Sequence, residues 1–144
     1  MQRLKAALII TSVLSASAVL AHSGVKDHDV MARMESMKIL GQETKVLGQM
    51  MRGKTSFDVA TARAAMDALI LEAGETEALF KPRSDDPKSE ALPTIWTEPD
   101  RFADQLDAMN AVLAGADVST PDQLEQSLRR ISASCSACHK EFRE

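Results

Sequence analysis

The last 25 residues of the chain constrain its fold more than any other stretch. Leu124, Leu128, Ile131, Cys135, Cys138 and Phe142 recur at spacings of four and three, which places all six on one face of a helix with both cysteines facing a core. Thr120-Pro121-Asp122-Gln123 supplies an N-cap threonine, a proline at the first helical position and a glutamine at the third, so this helix starts there and runs to about Phe142. Three further segments carry the same rhythm. Val30, Met34, Met37, Gly41, Thr44, Gly48 and Met51 form a stripe on a helix of about Lys26 to Arg52. Gly41 and Gly48 each weaken that helix by roughly 1 kcal/mol relative to alanine, which points to something bulky or close-packed beside them. Val59, Ala62, Met66, Leu69, Ala73 and Phe80 share a face of a second helix over Asp58 to Phe80. Phe102, Leu106, Met109 and Leu113 mark a third, from Glu98 to Ala114, preceded by Trp96. Between the second and third lie Pro82, Pro87 and Pro93 among Ser, Asp and Lys, a composition that cannot continue a helix and reads as a long crossover loop.

Four helices with three connections predict an all-α, antiparallel four-helix bundle, an architecture that places cofactors among facing side chains. A sandwich or barrel is disfavoured: the chain has no tyrosine, four phenylalanines and one tryptophan in 144 residues. The size is that of one domain.

The N-terminus has a different purpose. Arg3 and Lys5 precede the nearly uncharged run Ala6 to Ala21, which ends in small residues and is shorter than a membrane span. Residues 1–21 read as a secretory signal peptide cleaved after Ala21, with Ala18 as the second choice, which leaves 22–144 as the mature domain and predicts a periplasmic protein without stable membrane insertion. Two of the 17 cations leave with that leader, so the net charge goes from −4 to −6. An acidic chain with no basic run excludes nucleic acid as a natural partner, and it would attract a basic face on a protein partner.

Cys135-Ser136-Ala137-Cys138-His139 carries the chemistry. Covalent haem needs two thiols that reach two vinyl groups on one porphyrin edge and a nitrogen ligand beneath the iron, and C-x-x-C-H supplies all three. On a helix the cysteines at i and i+3 share a face with about 5–6 Å between their Cβ atoms. Three other uses of the pair are weaker. A thioredoxin-like dithiol belongs at the start of a helix after a strand. A zinc site needs a second pair of ligands, and only His22 and His28 remain, far away in sequence. A structural disulfide leaves His139 without a role. His22 would be the mature N-terminal residue, where it could chelate copper, and His28 reads as a solvated helix-start residue.

With His139 as one axial ligand, the sixth coordination position separates an electron carrier from a gas binder. Methionine is the natural protein ligand there, and it raises the reduction potential. Met31, Met34, Met37, Met50 and Met51 all lie on the first helix, where most methionines are core filler. Met37 lies on the stripe near mid-helix, with Gly41 one turn further on, but periodicity does not separate it from Met34.

The attachment motif on the last helix, continuing as Lys140-Glu141-Phe142-Arg143, together with a first helix able to cover the other haem face, resembles the class II c-type cytochromes over the whole mature chain. Ser36-Met37-Lys38 to Gly48 and Ile95-Trp96 are most similar to the low-spin branch of that family. The resemblance implies His139/Met37 coordination of one covalent haem c and a one-electron carrier that transforms no substrate and works with a periplasmic redox partner. It also implies an aromatic-plus-arginine ending, Phe142 and Arg143, beside the haem, with Arg143 near the histidine. Core packing accounts equally for Phe142, and a C-terminal arginine suits the helix dipole without any haem. Trp96 is expected against the cofactor or at the bundle end. The high-spin branch implies instead a five-coordinate iron open to nitric oxide or carbon monoxide, with Leu40 or Met34 as a non-ligating blocking residue. A non-haem thiol or metal-binding bundle is the remaining alternative. Family members often dimerise, so the resemblance makes a second copy of the chain a candidate partner, but no face in the sequence marks pairing through the first helices.

Overall fold

The computed structural model of the protein describes residues 24–144. The signal peptide, its cleavage after Ala21 and the copper-binding role of His22 lie outside the described residues.

Five helices follow in order: α1 His28–Met51, α2 Val59–Phe80, α3 Thr94–Thr97, α4 Pro99–Ala114 and α5 Pro121–Phe142. The four long ones are the expected bundle. α1 packs on α2, α2 on α4, α4 on α5, and α5 closes the ring against α1 along the loosest of the four seams. The short α3 is an addition, a single turn that carries Trp96 just ahead of α4.

Local chemistry sets the helix starts. Asp27 accepts a hydrogen bond from the Val30 amide at 2.9 Å, and Asp58 accepts from both the amide and the hydroxyl of Thr61 at 2.8 and 2.7 Å. Thr120 caps the Gln123 amide at 3.3 Å, while its hydroxyl donates to the Gln123 side chain at 3.0 Å. Each cap satisfies an amide that the first helical turn leaves without a carbonyl partner.

The core is built from the expected stripes on α2, α4 and α5: Ala62, Met66, Leu69 and Ala73 meet Phe102, Leu106, Met109 and Leu113, and Leu124, Leu128 and Ile131 close the third side. Phe102 sits at the aromatic centre, 5.2 Å from Phe80 and 5.1 Å edge-on from Phe142 between ring centroids. On α1 the buried face differs from the expected stripe. Val30, Arg33, Ser36, Leu47 and Met50 are buried, whereas Met51 is exposed and Met34, Met37 and Gly41 are open to varying degrees. α1 turns one side to α2 and presents the neighbouring stripe to the α5 seam, so a single stripe drawn through both mixes two environments.

The crossover of residues 81–93 is tied down at both ends. Asp86 accepts from the backbone amides of Lys26, Asp27 and Lys88 at 2.8, 3.3 and 2.9 Å. Arg33, 3% exposed, donates from Nε to the Leu79 carbonyl at 3.0 Å, from Nη1 to the Ser84 carbonyl at 3.3 Å and from Nη2 to the Pro82 carbonyl. Its guanidinium also lies over the rings of Phe80 and Trp96, at 5.2 and 5.1 Å. These carbonyls end α2 or follow it, where the helix dipole favours a cation. At the other end, the Leu92 amide donates to the Phe142 carbonyl at 3.0 Å, the Glu144 amide to the Glu90 carbonyl at 2.9 Å, and Ala91 forms an isolated antiparallel bridge with Arg143.

Two measurements test these anchors. Replacing Arg33 with Met keeps the aliphatic stem but leaves three carbonyls at a part-buried site without their donor, and is expected to lower unfolding free energy by about 1–3 kcal/mol in guanidinium titrations of the holoprotein. The Asp86 carboxyl is held below the usual 3.8 by the Lys26 and Lys88 amides. Its contribution to stability is therefore whole above that value and is lost as pH falls through the lower folded one. Asp86→Asn is expected to lower Tm at neutral pH and to flatten the acid limb of a Tm-against-pH curve.

Candidate cofactor site

Where α1 and α5 face each other, the core gives way to a cavity of about 780 Å³. Its α5 wall continues the helix's buried stripe: below, Ile131 is 1% exposed, and above it Cys135 and Cys138 are only half-buried because they look into the cavity. His139 lines the same wall at its exposed rim. Met34, Met37, Leu40, Gly41 and Thr44 form the α1 wall. Leu69, Phe102, Leu106 and Met109 supply an apolar floor from α2 and α4.

Small side chains keep this space open. A Cβ placed on Gly41 would meet nothing within 4 Å, so the glycine borders open volume. Gly48 is different: a Cβ there would come within 3.0 Å of the Arg52 guanidinium, which covers it. Of the two glycines expected to make room, Gly41 borders the cavity and Gly48 lies under a side chain at its far end.

Of the residues singled out from sequence, Cys135, Cys138, His139, Met37, Phe142 and Arg143 all line this one cavity, as do Met34 and Leu40. Phe142 is 4% exposed and packs edge-on against Phe102, so it serves core and cavity wall together. Arg143 caps α5 by donating its amide to the His139 carbonyl at 3.0 Å and donates from Nε to Glu90 at 2.6 Å. Trp96 does not line the cavity. It packs at the bundle end, its indole N–H donating to the Phe80 carbonyl at 2.8 Å and its ring lying beside Arg33. Sequence reasoning missed Arg33, Lys88 and Glu90, which also line the cavity. Nothing in helical periodicity marks an arginine as buried, and a proline-rich loop has no period that would turn Glu90 toward Arg143.

The electrostatics discriminate among uses of the thiols. Burial pushes the Cys138 pKa up to about 11, with Cys135 and Glu141 adding to the effect, and burial raises Cys135 in the same direction. Both sit near the C-terminal, negative end of α5 rather than at a helix start, so the dipole also disfavours a thiolate. A dithiol redox site needs the opposite environment. Among the described residues no group of three or more His, Cys, Asp and Glu side chains is placed to hold a metal ion. Partial burial, aided by Arg143 and opposed by Glu90, lowers the His139 pKa and favours the neutral imidazole that a metal binds. Two thiols and an imidazole on one wall, thioethers on the opposite wall and an apolar space between them fit a porphyrin.

The comparisons agree with the geometry. The family model described as Cytochrome C' matches residues 28–143. The chain belongs to the cytochrome c' family. It is 30% identical to a cytochrome c-554 of Cereibacter sphaeroides, over 96% of this chain and 95% of that one. It is 28% identical to a cytochrome c' of Rhodopseudomonas palustris, over 83% and 84%. Among solved structures it is similar to oxidised cytochrome c556 of R. palustris, with a TM-score of 0.74 and 26% identity over 83% of this chain and 98% of that one. The cofactor is one covalent haem c with its iron, and the function lies within electron transfer or gas binding.

The raised thiol pKa is directly measurable. In haem-free protein, iodoacetamide is expected to alkylate Cys138 at neutral pH about a hundredfold more slowly than a cysteine titrating at 9.0, with the rate still rising tenfold per pH unit above pH 9. Mass spectrometry of digests reads this site by site, and rapid labelling at pH 7 would contradict it.

Proposed function

We propose that the protein is an exported, periplasmic one-electron carrier in which Cys135 and Cys138 hold the haem through thioethers and His139 and Met37 are its axial ligands. The observation that carries this reading is the placement of His139 and Met37 on the α5 and α1 walls of a single cavity. When bound, the haem supplies the Fe(III)/Fe(II) couple, and a methionine ligand raises its potential. The chain's part is to orient the group through α5, exclude water with Leu69, Phe102 and Leu106, and hold a neutral imidazole at the rim. Phe142 would pack against the group, and Arg143, restrained by Glu90, lies one turn beyond the histidine on the same cavity wall.

The arrangement supports a role without substrate turnover, since the cavity wall is mostly hydrocarbon. Among the described residues no helix is long and apolar enough to cross a membrane. That observation and the N-terminal leader support a protein that reaches its redox partners by diffusion. Pairing of two copies is part of the proposal, and Ile70 and Leu71, exposed on α2, would place the contact on the second helix rather than the first.

A second reading has an observation of its own: Met34 and Leu40 also line the α1 wall, so an apolar group could cover the iron without ligating it and leave it open to nitric oxide or carbon monoxide. Optical spectroscopy of the holoprotein separates the two. The carrier gives a low-spin ferric spectrum with a sulfur-to-iron charge-transfer band and no carbon monoxide shift after reduction. Met37→Ala is expected to abolish that band and create carbon monoxide binding. A wild-type spectrum that is already high-spin and shifts with carbon monoxide establishes the gas-binding reading instead, and an unchanged low-spin spectrum in the variant moves the ligand to Met34.

A further inference from the structure

The charge of this protein is distributed unevenly around the bundle. α2 and α4, neighbours on one side, carry seven carboxylates against Arg63 and Arg101. α1 and α5, on the other side, each balance three carboxylates with three cations. Nearly all of the net negative charge of residues 22–144 thus lies on the side away from the cavity seam.

At the seam itself the sign reverses. The cavity is lined by Arg33, Lys38, Lys88 and Arg143 against one carboxylate, Glu90. A shallower groove of about 420 Å³ continues it along α1 and α5, sharing Thr44 and Ser132 and adding Arg52 and Arg129 with no carboxylate. Three of these cations have acidic neighbours: Lys38 pairs with Glu35 at 3.1 Å, Arg129 with Glu125 at 2.6 Å, and Arg143 with Glu90. Lys88 and Arg52 have no ion pair among the described residues, and both are exposed. Arg33 is buried at the cavity wall.

We propose that the α1–α5 seam, from Lys88 to Arg52, is the docking surface for the redox partner, and that the partner meets it with a carboxylate-rich face. The inference rests on the electron-carrier reading. It assigns the attraction for a basic partner, which the net charge implies, to the α2–α4 side, away from the cofactor. Charges within a Debye length, about 8–10 Å, act on a docked partner with little screening, so the local cations govern contact while the distant carboxylates orient the molecule before it.

Inert paramagnetic complexes map the surface without any electron transfer. In the holoprotein, hexacyanochromate(III) is expected to broaden amide signals around Lys88, Lys38, Arg52 and Arg129, and tris(ethylenediamine)chromium(III) those of α2 and α4. Broadening by the anion that is uniform, or greatest on α2 and α4, overturns the proposal. Electron transfer gives the second arm. Lys88→Glu and Arg52→Glu are expected to slow oxidation of the ferrous protein by hexacyanoferrate(III) about three- to tenfold and to speed oxidation by tris(phenanthroline)cobalt(III), with the optical spectrum unchanged. Glu75→Lys, an equal and opposite charge change on α2, is expected to alter either rate by less than about twofold. Equal and opposite effects from Glu75 and Lys88 would show that net charge governs and sink the docking surface. A preparation with no haem absorption fails the carrier reading itself, while the chromium maps still test the surface.

Discussion

The structure depends on one continuous helix face doing two things. Along α5, the four-three stripe buries Leu124, Leu128 and Ile131 in a packed core and then, one turn later, turns Cys135 and Cys138 into a cavity. The backbone does not change across that boundary; the facing wall does. α1 lies against α2 through Leu47 and Met50, and beside the upper half of α5 it offers Gly41 and Thr44, too small to fill the space. A bundle with four equally tight seams would have no room for a flat group. This one is loose along a single seam, and the attachment motif sits on it.

That placement also explains why the thiols are chemically quiet. A C-x-x-C pair at a helix N-terminus is activated by amide dipoles, whereas here the pair lies in the last two turns, in apolar surroundings and near Glu141. The histidine that follows is under the opposite pressure. Partial burial disfavours a positive charge on the ring, Arg143 one turn on adds to this, and Glu90 limits the effect. The environment favours protonated sulfur and neutral nitrogen, which suits an imidazole that binds a metal and works against a dithiol redox cycle.

How much of this could be read from residues alone follows from which interactions are periodic. The stripes of α2, α4 and α5 and the Thr120 cap follow from helical spacing within one element, whereas Met37 is set apart from Met34 by the family resemblance alone, and both line the cavity. α1 was harder, because it touches two different surfaces and its apolar pattern is the sum of both; Arg33 and Ser36 are buried on the side where a single stripe predicts solvent. Trp96 was assigned to the cofactor or to the bundle end, and the choice depended on Arg33, whose guanidinium needs aromatic faces beside it. The turn carrying Trp96 is held by the Phe80 carbonyl and by the Leu92–Phe142 bond. Those contacts join residues far apart in sequence, through a loop whose prolines announce an absence of helix and nothing about where the chain returns.

The loose seam and the charge distribution share a physical origin. Long cationic side chains lay their aliphatic stems on apolar surface and keep their heads in water, so they suit a boundary that is half hydrocarbon and half solvent. Carboxylates on shorter stems reach less far across such a boundary, and on this protein their excess over cations lies on the solvated faces of α2 and α4, while those on α1 and α5 are balanced by cations. A space left open for a planar cofactor is therefore also a place where lysine and arginine collect at the edge. The propionates of a bound haem, carboxylates themselves, would find cations at that edge, while Lys88 and Arg52 extend the charge along the seam. Net charge is a property of the whole surface and acts at a distance. A docked partner responds to the charge within a few ångströms of it, and at the seam that local sign is opposite to the net one.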